Sequence, residues 1–296
     1  MGDSFAGYHP LVNFIFFTLA LTFSMIFTHP ACLAVSLVCA LAYSGYLNRG
    51  KALRFNLVFM LPMLILTALI NPAFNHEGAT ILTYLWDGNP LTLESVLYGI
   101  AAAVMLITVI SWFSCVNKVF TSDKFIYLFG RAIPSLSLIL SMTLRLVPRF
   151  KAQLKVIRAA QRYIGRDVSN GGVILRARQG IRILSIMVTW ALENAIETAD
   201  SMKGRGYGLP GRTAFSIYRF DRRDLGALAF ILACAGYIVL GAAQGGLYYR
   251  YFPTLKGNGA GFYAVSLYAV YFILCISPLI INLWEGKRWT AIESKT

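Results

Sequence analysis

The chain has 296 residues, of which 57% are hydrophobic and 14% charged, where soluble domains carry roughly 25% charged residues. A mean hydropathy of +0.61 and continuous apolar runs of spanning length make it an all-α integral membrane protein; the short alternating segments of a β-barrel are absent. The net charge of +14 is read as Lys and Arg retained in cytoplasmic loops, so no nucleic-acid partner is expected.

No Lys or Arg precedes the first apolar run, 11–28, so it is expected to stay as a membrane helix rather than leave as a signal peptide. It ends at His29-Pro30 and a second run, 31–47, follows at once, which makes the two an antiparallel hairpin. The next loop holds Arg49, Lys51 and Arg54 without an acid; the positive-inside rule places it, and with it the N-terminus, in the cytoplasm. A third run, 55–74, carries Pro62, where a kink is expected, and ends near Asn71-Pro72. Residues 75–94 contain Glu77, Asp87 and Glu94 but no Lys or Arg, which suits the outer side. The run 95–116 then returns inward toward Lys118, Lys124 and Arg131.

Residues 125–147 are apolar enough to cross, yet cations lie at both ends, and a single crossing cannot return to its own side. Ser137, Ser141 and Arg145 recur every four residues opposite Leu136, Leu140 and Leu144, which predicts an amphipathic helix at the inner face. Phe150, Leu154, Ile157 and Ile164 continue as an apolar ridge flanked by Arg149, Lys155, Arg158 and Arg162. Residues 165–182, with Gly165, Gly171, Gly172 and Gly180, read as a loop or broken helix. A second amphipathic helix, 183–205, gains a carboxylate stripe at Glu193, Glu197 and Asp200 and stops at Gly206, Gly208 and Pro210. Runs 225–244 and 262–284 form a last hairpin around an outer loop that holds Arg250 and Lys256. The reading is therefore about six transmembrane helices plus a cytoplasmic pair of long amphipathic helices. It divides as 1–124 (four crossings), 125–223 (cytoplasmic or interfacial) and 224–296 (membrane hairpin and tail). The location is the cell membrane, multi-pass, with both termini cytoplasmic.

The five cysteines (Cys32, Cys39, Cys115, Cys234, Cys275) form no CxxC pair and read as small hydrophobes. No GxxxxGK[ST], HExxH or GxSxG segment occurs, and His9, His29 and His76 lie singly near loop ends, as interfacial histidines do. No catalytic residue, metal site or cofactor is expected in this chain. Charges are almost absent from the six runs, which argues against a self-contained secondary transporter. The chemistry concentrates in 145–223, where sixteen Lys and Arg meet five Asp and Glu. Read alone, Gly204-Arg205-Gly206 is a helix C-cap with a snorkelling Arg, and the first helix's cations suit the headgroups of the lipid bilayer. Glu193, Glu197 and Asp200 are either a solvated face or partners of Arg158 and Arg162. Two other functions share these features: a membrane-embedded phospho-transferase with the GRGYG segment on phosphate, and a non-catalytic anchor with a basic face.

The segment Leu144-Arg145-Leu146-Val147-Pro148 through Ala160-Gln161-Arg162, together with Ala199-Asp200-Ser201-Met202-Lys203-Gly204-Arg205-Gly206-Tyr207-Gly208, resembles the T component of energy-coupling-factor transporters, which include the cobalt-transport permeases. The resemblance is specific over about 140–212. It implies that two long cytoplasmic helices dock on a pair of ABC-type ATPases, each through a small residue–Arg–small residue motif. It also implies a small substrate-binding membrane (S) subunit that captures a vitamin or metal ion. The second motif is Gly204-Arg205-Gly206. At the first, Tyr163-Ile164-Gly165 stands where the motif is expected, leaving Arg162 and Arg166 as the candidate docking cations.

Overall fold

A computed structural model describes residues 3–48, 58, 60–84, 89–130, 134–166, 172–210, 218–257 and 261–293. The expected cationic loop at Arg49, Lys51 and Arg54, together with Arg131 and Gly171, lies outside the described residues. In chain order the helices are α1 (Pro10–Ile26), α2 (Pro30–Asn48), α3 (Leu61–Phe74), α4 (Leu93–Val119), α5 (Ser122–Gly130), α6 (Pro134–Tyr163), α7 (Val173–Gly204), α8 (Arg222–Ala243) and α9 (Phe262–Glu293). Two small antiparallel hairpins join them, β1 (Ile81–Tyr84) with β2 (Pro90–Thr92) and β3 (Tyr249–Arg250) with β4 (Lys256–Gly257). The chain forms two compact units, one of Met1–Lys124 with Tyr218–Thr296 and one of Phe125–Ile217.

The first unit holds the candidate membrane helices among the described residues. The helices α2, α4, α8 and the stretch Phe262–Glu285 of α9 are each long and apolar enough to cross a bilayer, and α1 and Pro62–Phe74 are shorter apolar helices. This is an all-α, multi-pass membrane protein. Both His-Pro pairs begin a helix. Proline at the first helical position lacks an N–H, so the first donor needing a partner belongs to the next residue. His9 Nδ1 accepts from Leu11 N and His29 Nδ1 from Ala31 N, each at 3.2 Å.

The core packs Phe16, Phe17, Tyr43 and Trp112 across α1, α2 and α4, with Tyr271 of α9 against Phe23 and Phe27. Because hydrocarbon offers no hydrogen bonds, the polar atoms here answer one another. Trp112 Nε1 donates to Ser36 Oγ (3.2 Å), which shares a bond of 2.6 Å with Ser24 Oγ. Pro278 sits inside α9 and leaves the Leu274 carbonyl without its helical donor. The Ser277 hydroxyl donates to that carbonyl instead, at 2.8 Å.

Lys124 is the most demanding of these groups. It is 5% exposed, and its ammonium has three donors to place. It donates to Val119 O, one of the carbonyls left over at the end of α4 (2.9 Å), and to Ala6 O (2.6 Å). With the Asn13 amide assigned to suit its neighbours, Asn13 Oδ1 takes the third proton at 2.8 Å and Asn13 Nδ2 donates to Phe5 O at 3.0 Å. The N-terminal segment is held further by Phe5 N to Asn282 Oδ1 (2.9 Å) and His9 N to Asp224 Oδ1 (3.1 Å). Burial pushes the Lys124 amine down to about 8, against a smaller upward pull from Asp3.

Pro62 stands in the first turn of α3, directly after Val58 and Met60 in π-helical backbone, and Pro72 lies inside that helix. One expectation, on the connection between the two amphipathic helices, is corrected. Residues 173–182 are continuous with the second amphipathic helix, which begins at Val173 and not at Ile183. Arg is a good helix former and the single Gly180 costs only about 1 kcal/mol, so Arg176, Arg178 and Arg182 do not break the helix. Arg250 is satisfied locally, donating to the Phe252 carbonyl.

Two outcomes follow. At Gly99 a Cβ would lie 2.7 Å from Ala68 O and 3.3 Å from Pro72 Cδ, so Gly99→Leu should lower stability by ~1–3 kcal/mol through overpacking of α4 on α3, measured by thermal unfolding in detergent. The lowered Lys124 pKa means that the unfolded chain binds the proton between pH ~8 and ~10.5 while the folded chain does not. The cost of burying the charge is thus fully present below pH 8, and stability should rise by up to ~3 kcal/mol across that window. The rise should be absent from Lys124→Met when the two pH profiles are subtracted.

Candidate functional site

The second unit is built on α6 and α7 as an antiparallel helical hairpin. Ile157 packs with Ile183 and Met187, flanked by Phe150, Leu154, Ile186 and Trp190; the Phe150 and Trp190 rings meet edge to face at 5.3 Å. One strip of α6 at helical spacing thus buries Phe150, Leu154 and Ile157 against α7, while Ile164 lies beyond it and is 64% exposed. Farther toward the start of α6, Arg149 Nη1 meets Asn194 Oδ1 at 3.4 Å.

Both helices end in the same device. At the end of α7, Tyr207 N donates to Met202 O (3.0 Å) and Gly206 N to Lys203 O (2.9 Å), with Gly206 at φ 77°. At the end of α6, Arg166 N donates to Gln161 O (2.9 Å) and Gly165 N to Arg162 O (3.0 Å), with Gly165 at φ 78°. These are two Schellman caps, which use a left-handed glycine to satisfy the last carbonyls. The residue just before that glycine is Arg205 in one and Ile164 in the other. The two motifs are therefore structurally equivalent, and only one of them carries Arg at the cap.

Antiparallel pairing sends the two caps to opposite ends of the hairpin. Arg162 lies 21 residues along α6 from Ser141, or ~30 Å at ~1.5 Å per residue, while Ser141 stands beside Arg205. A groove of about 590 Å³ at that end is lined by Ser141, Arg145 and Arg149 of α6 and by Asn194, Glu197 and Arg205. Three guanidinium groups share it with one carboxylate. Neither Arg145 nor Arg205 makes a side-chain hydrogen bond or ion pair among the described residues. The sequence reading missed Arg145 and Arg149 as site residues. The signal was present in the four-residue stripe Ser141–Arg145–Arg149, but only the antiparallel register shows that it faces Arg205.

The same register separates the acid stripe from the cations suggested for it. Glu197 shares the groove with Arg145, whereas Arg158 lies beside Gly180 and Ile183, along a different, apolar groove. Glu193, Glu197 and Asp200 are exposed, the solvated face of the two alternatives. Among the described residues no three His, Cys, Asp or Glu side chains converge as a metal site requires.

The sequence profile of the cobalt transport protein family, CbiQ, matches residues 8–215. That range runs from α1 through both caps. This chain belongs to the CbiQ family. It is similar, at 32% identity over 114 residues, to the energy-coupling factor transporter transmembrane protein EcfT of Lactobacillus helveticus, covering 38% of this chain and 41% of that one. It is 26% identical over 192 residues to EcfT of Staphylococcus aureus (61% and 68% of the two chains) and 27% identical over 191 residues to EcfT 1 of Listeria monocytogenes (60% and 71%). The chain thus spans less than half of the first relative and about two thirds of the others. Within this CbiQ chain, α8 and α9 lie beyond the family match.

The two glycines around Arg205 make opposite demands. Gly206 has a left-handed backbone, where a side chain costs ~1–2 kcal/mol, and its Cβ would also meet Leu209 Cδ1 at 3.1 Å. Gly204 is helical with open space around it. Gly206→Ala should therefore speed hydrogen exchange of the Tyr207 amide roughly 5- to 30-fold, and Gly204→Ala should leave it unchanged or slower.

Proposed function

We propose that this chain is the transmembrane coupling (T) component of an ATP-driven energy-coupling-factor importer of a vitamin or metal ion. The reading is supported most directly by Arg205, a guanidinium fixed at a helix cap between two glycines, beside Arg145 and Arg149, with no partner of its own among the described residues. A planar guanidinium pairs bidentately with a carboxylate, so the groove suits an acidic edge of another protein. Membership of the CbiQ family and similarity to proteins named EcfT support the same role.

On this reading the chain is not itself an enzyme. Two ABC-type ATPase subunits bind and hydrolyse ATP, and their movement passes through the two caps into α6 and α7. The membrane helices of 1–124 and 224–296 carry that movement to a small substrate-binding membrane subunit, with both termini cytoplasmic and 125–223 as the coupling region. The first cap presents Ile164 where the second presents Arg205. We assign its docking cation to Arg166, which follows the left-handed Gly165 and makes no side-chain hydrogen bond or ion pair among the described residues, with Arg162 as the competing choice.

Copurification of the chain with its ATPases tests this. Arg205→Ala should weaken the complex by ~2–5 kcal/mol, because a partner charge is left unpaired, and Arg205→Lys should restore only part of it. Arg166→Ala should cost more than Arg162→Ala at the other cap. Undiminished assembly and transport in Arg205→Ala would overturn the assignment.

A further inference from the structure

The membrane unit carries a feature that the coupling role does not use. Between α8 and α9, at the Arg222 end of α8, lies an apolar groove of about 380 Å³, within the size range of ligand sites. Its walls include Phe230, Ile231, Ile273 and Ile280. Gly226 opens it, since a Cβ there would meet nothing within 4 Å, so this glycine leaves free space and not a close helix contact. From Arg222 to Ile231 the wall runs ~13 Å at ~1.5 Å per residue. A helix ~10–12 Å across would fill such a volume in about one turn, whereas a single hydrocarbon chain can run its length.

The mouth is cationic. Arg222, Arg223 and Tyr8 line it, and no carboxylate does. The nearby acids are already engaged. Asp224 accepts from Asp221 N (3.0 Å) and His9 N (3.1 Å), Asp221 caps the start of α8, and Glu285 pairs with Arg223 at 3.3 Å. Arg223 also lies over the Tyr8 ring, 4.2 Å from its centre. Arg222 is exposed and makes no side-chain hydrogen bond or ion pair among the described residues, and the exposed Arg219 precedes it by three positions. An unanswered guanidinium at the start of a spanning helix, above an apolar slot, matches a molecule with an anionic head and a hydrocarbon tail.

We propose that this groove binds one anionic phospholipid, with an acyl chain between α8 and α9 and the phosphate on Arg222. The apolar walls set the affinity and Arg222 sets the headgroup preference. The site is independent of the ATPase-coupling reading and stands or falls by itself.

Native mass spectrometry of the full chain in maltoside detergent, titrated with phosphatidylglycerol, phosphatidylcholine or glycerol phosphate, tests it. Phosphatidylglycerol should bind about fivefold more tightly than phosphatidylcholine. Arg222→Gln, an exposed change that leaves folding intact, should remove that preference without altering phosphatidylcholine binding. Gly226→Leu, or Ile280→Trp should the first not fold, should weaken both lipids, and glycerol phosphate should not compete. Equal binding of the two lipids, a preference that survives Arg222→Gln, or effective competition by glycerol phosphate would each overturn the proposal. So would a crosslinker at position 226 that captures only another membrane polypeptide.

Discussion

A polar group removed from water must find its partner inside the protein, and most of this chain is arranged around that demand. The three protons of Lys124 go to Val119, Ala6 and Asn13. The carbonyl freed by Pro278 goes to Ser277, and Trp112 is tied to Ser36 and through it to Ser24. The bonds from Lys124 to Ala6 and Asn13 and from Trp112 to Ser36 join elements far apart in sequence, because apolar helices in hydrocarbon have little else to fix which face meets which neighbour. The N-terminal segment illustrates the result. Its backbone is held by Asn282, Asp224 and Lys124 from three different helices.

Against that economy, the unanswered cations stand out. Arg205 and Arg145 share a groove that has three guanidinium groups and one carboxylate, and Arg222, next to an Arg223 already paired with Glu285, lines the mouth of an apolar slot. The protein satisfies a fully buried ammonium threefold yet leaves these groups open. That contrast supports reading both places as surfaces completed by something else: a protein edge at Arg205, a lipid headgroup at Arg222. Geometry separates them. The first is a groove of about 590 Å³ and mixed polarity between two amphipathic helices, and the second, of about 380 Å³, is nearly all apolar.

The membrane helices were legible in the sequence because a bilayer demands unbroken apolar runs, and those at 31–47, 95–116, 225–244 and 262–284 each correspond to a helix able to cross. The helix stop at Gly206 was legible for a comparable reason, since few sequences other than a glycine pair permit that turn. The start of α7 was not. Residues 173–182 interrupt the apolar pattern with Arg176, Arg178, Gly180 and Arg182, and their helix is carried by propensity and by the packing of Ile183 and Met187 that follows. Pro62 and Pro72 look alike in sequence, and only the starting point of α3 puts one in its first turn and the other inside it. The partnership of Arg145 and Arg149 with Arg205 depended on the register of two helices, which no local pattern encodes. The same register sent the two caps to opposite ends of the hairpin and left the acid stripe facing solvent.

The equivalence of the two caps, with Arg205 in one and Ile164 in the other, carries the central claim that the α7 cap is a docking point for an ATPase carboxylate. The most direct measurement is a structure of the chain bound to its ATPases. The account predicts guanidinium nitrogens of Arg205 within ~2.7–2.9 Å of an ATPase carboxylate, with Arg145 and Arg149 lining the same contact. An Arg205 side chain left in solvent or on a lipid headgroup in the assembled complex would contradict it.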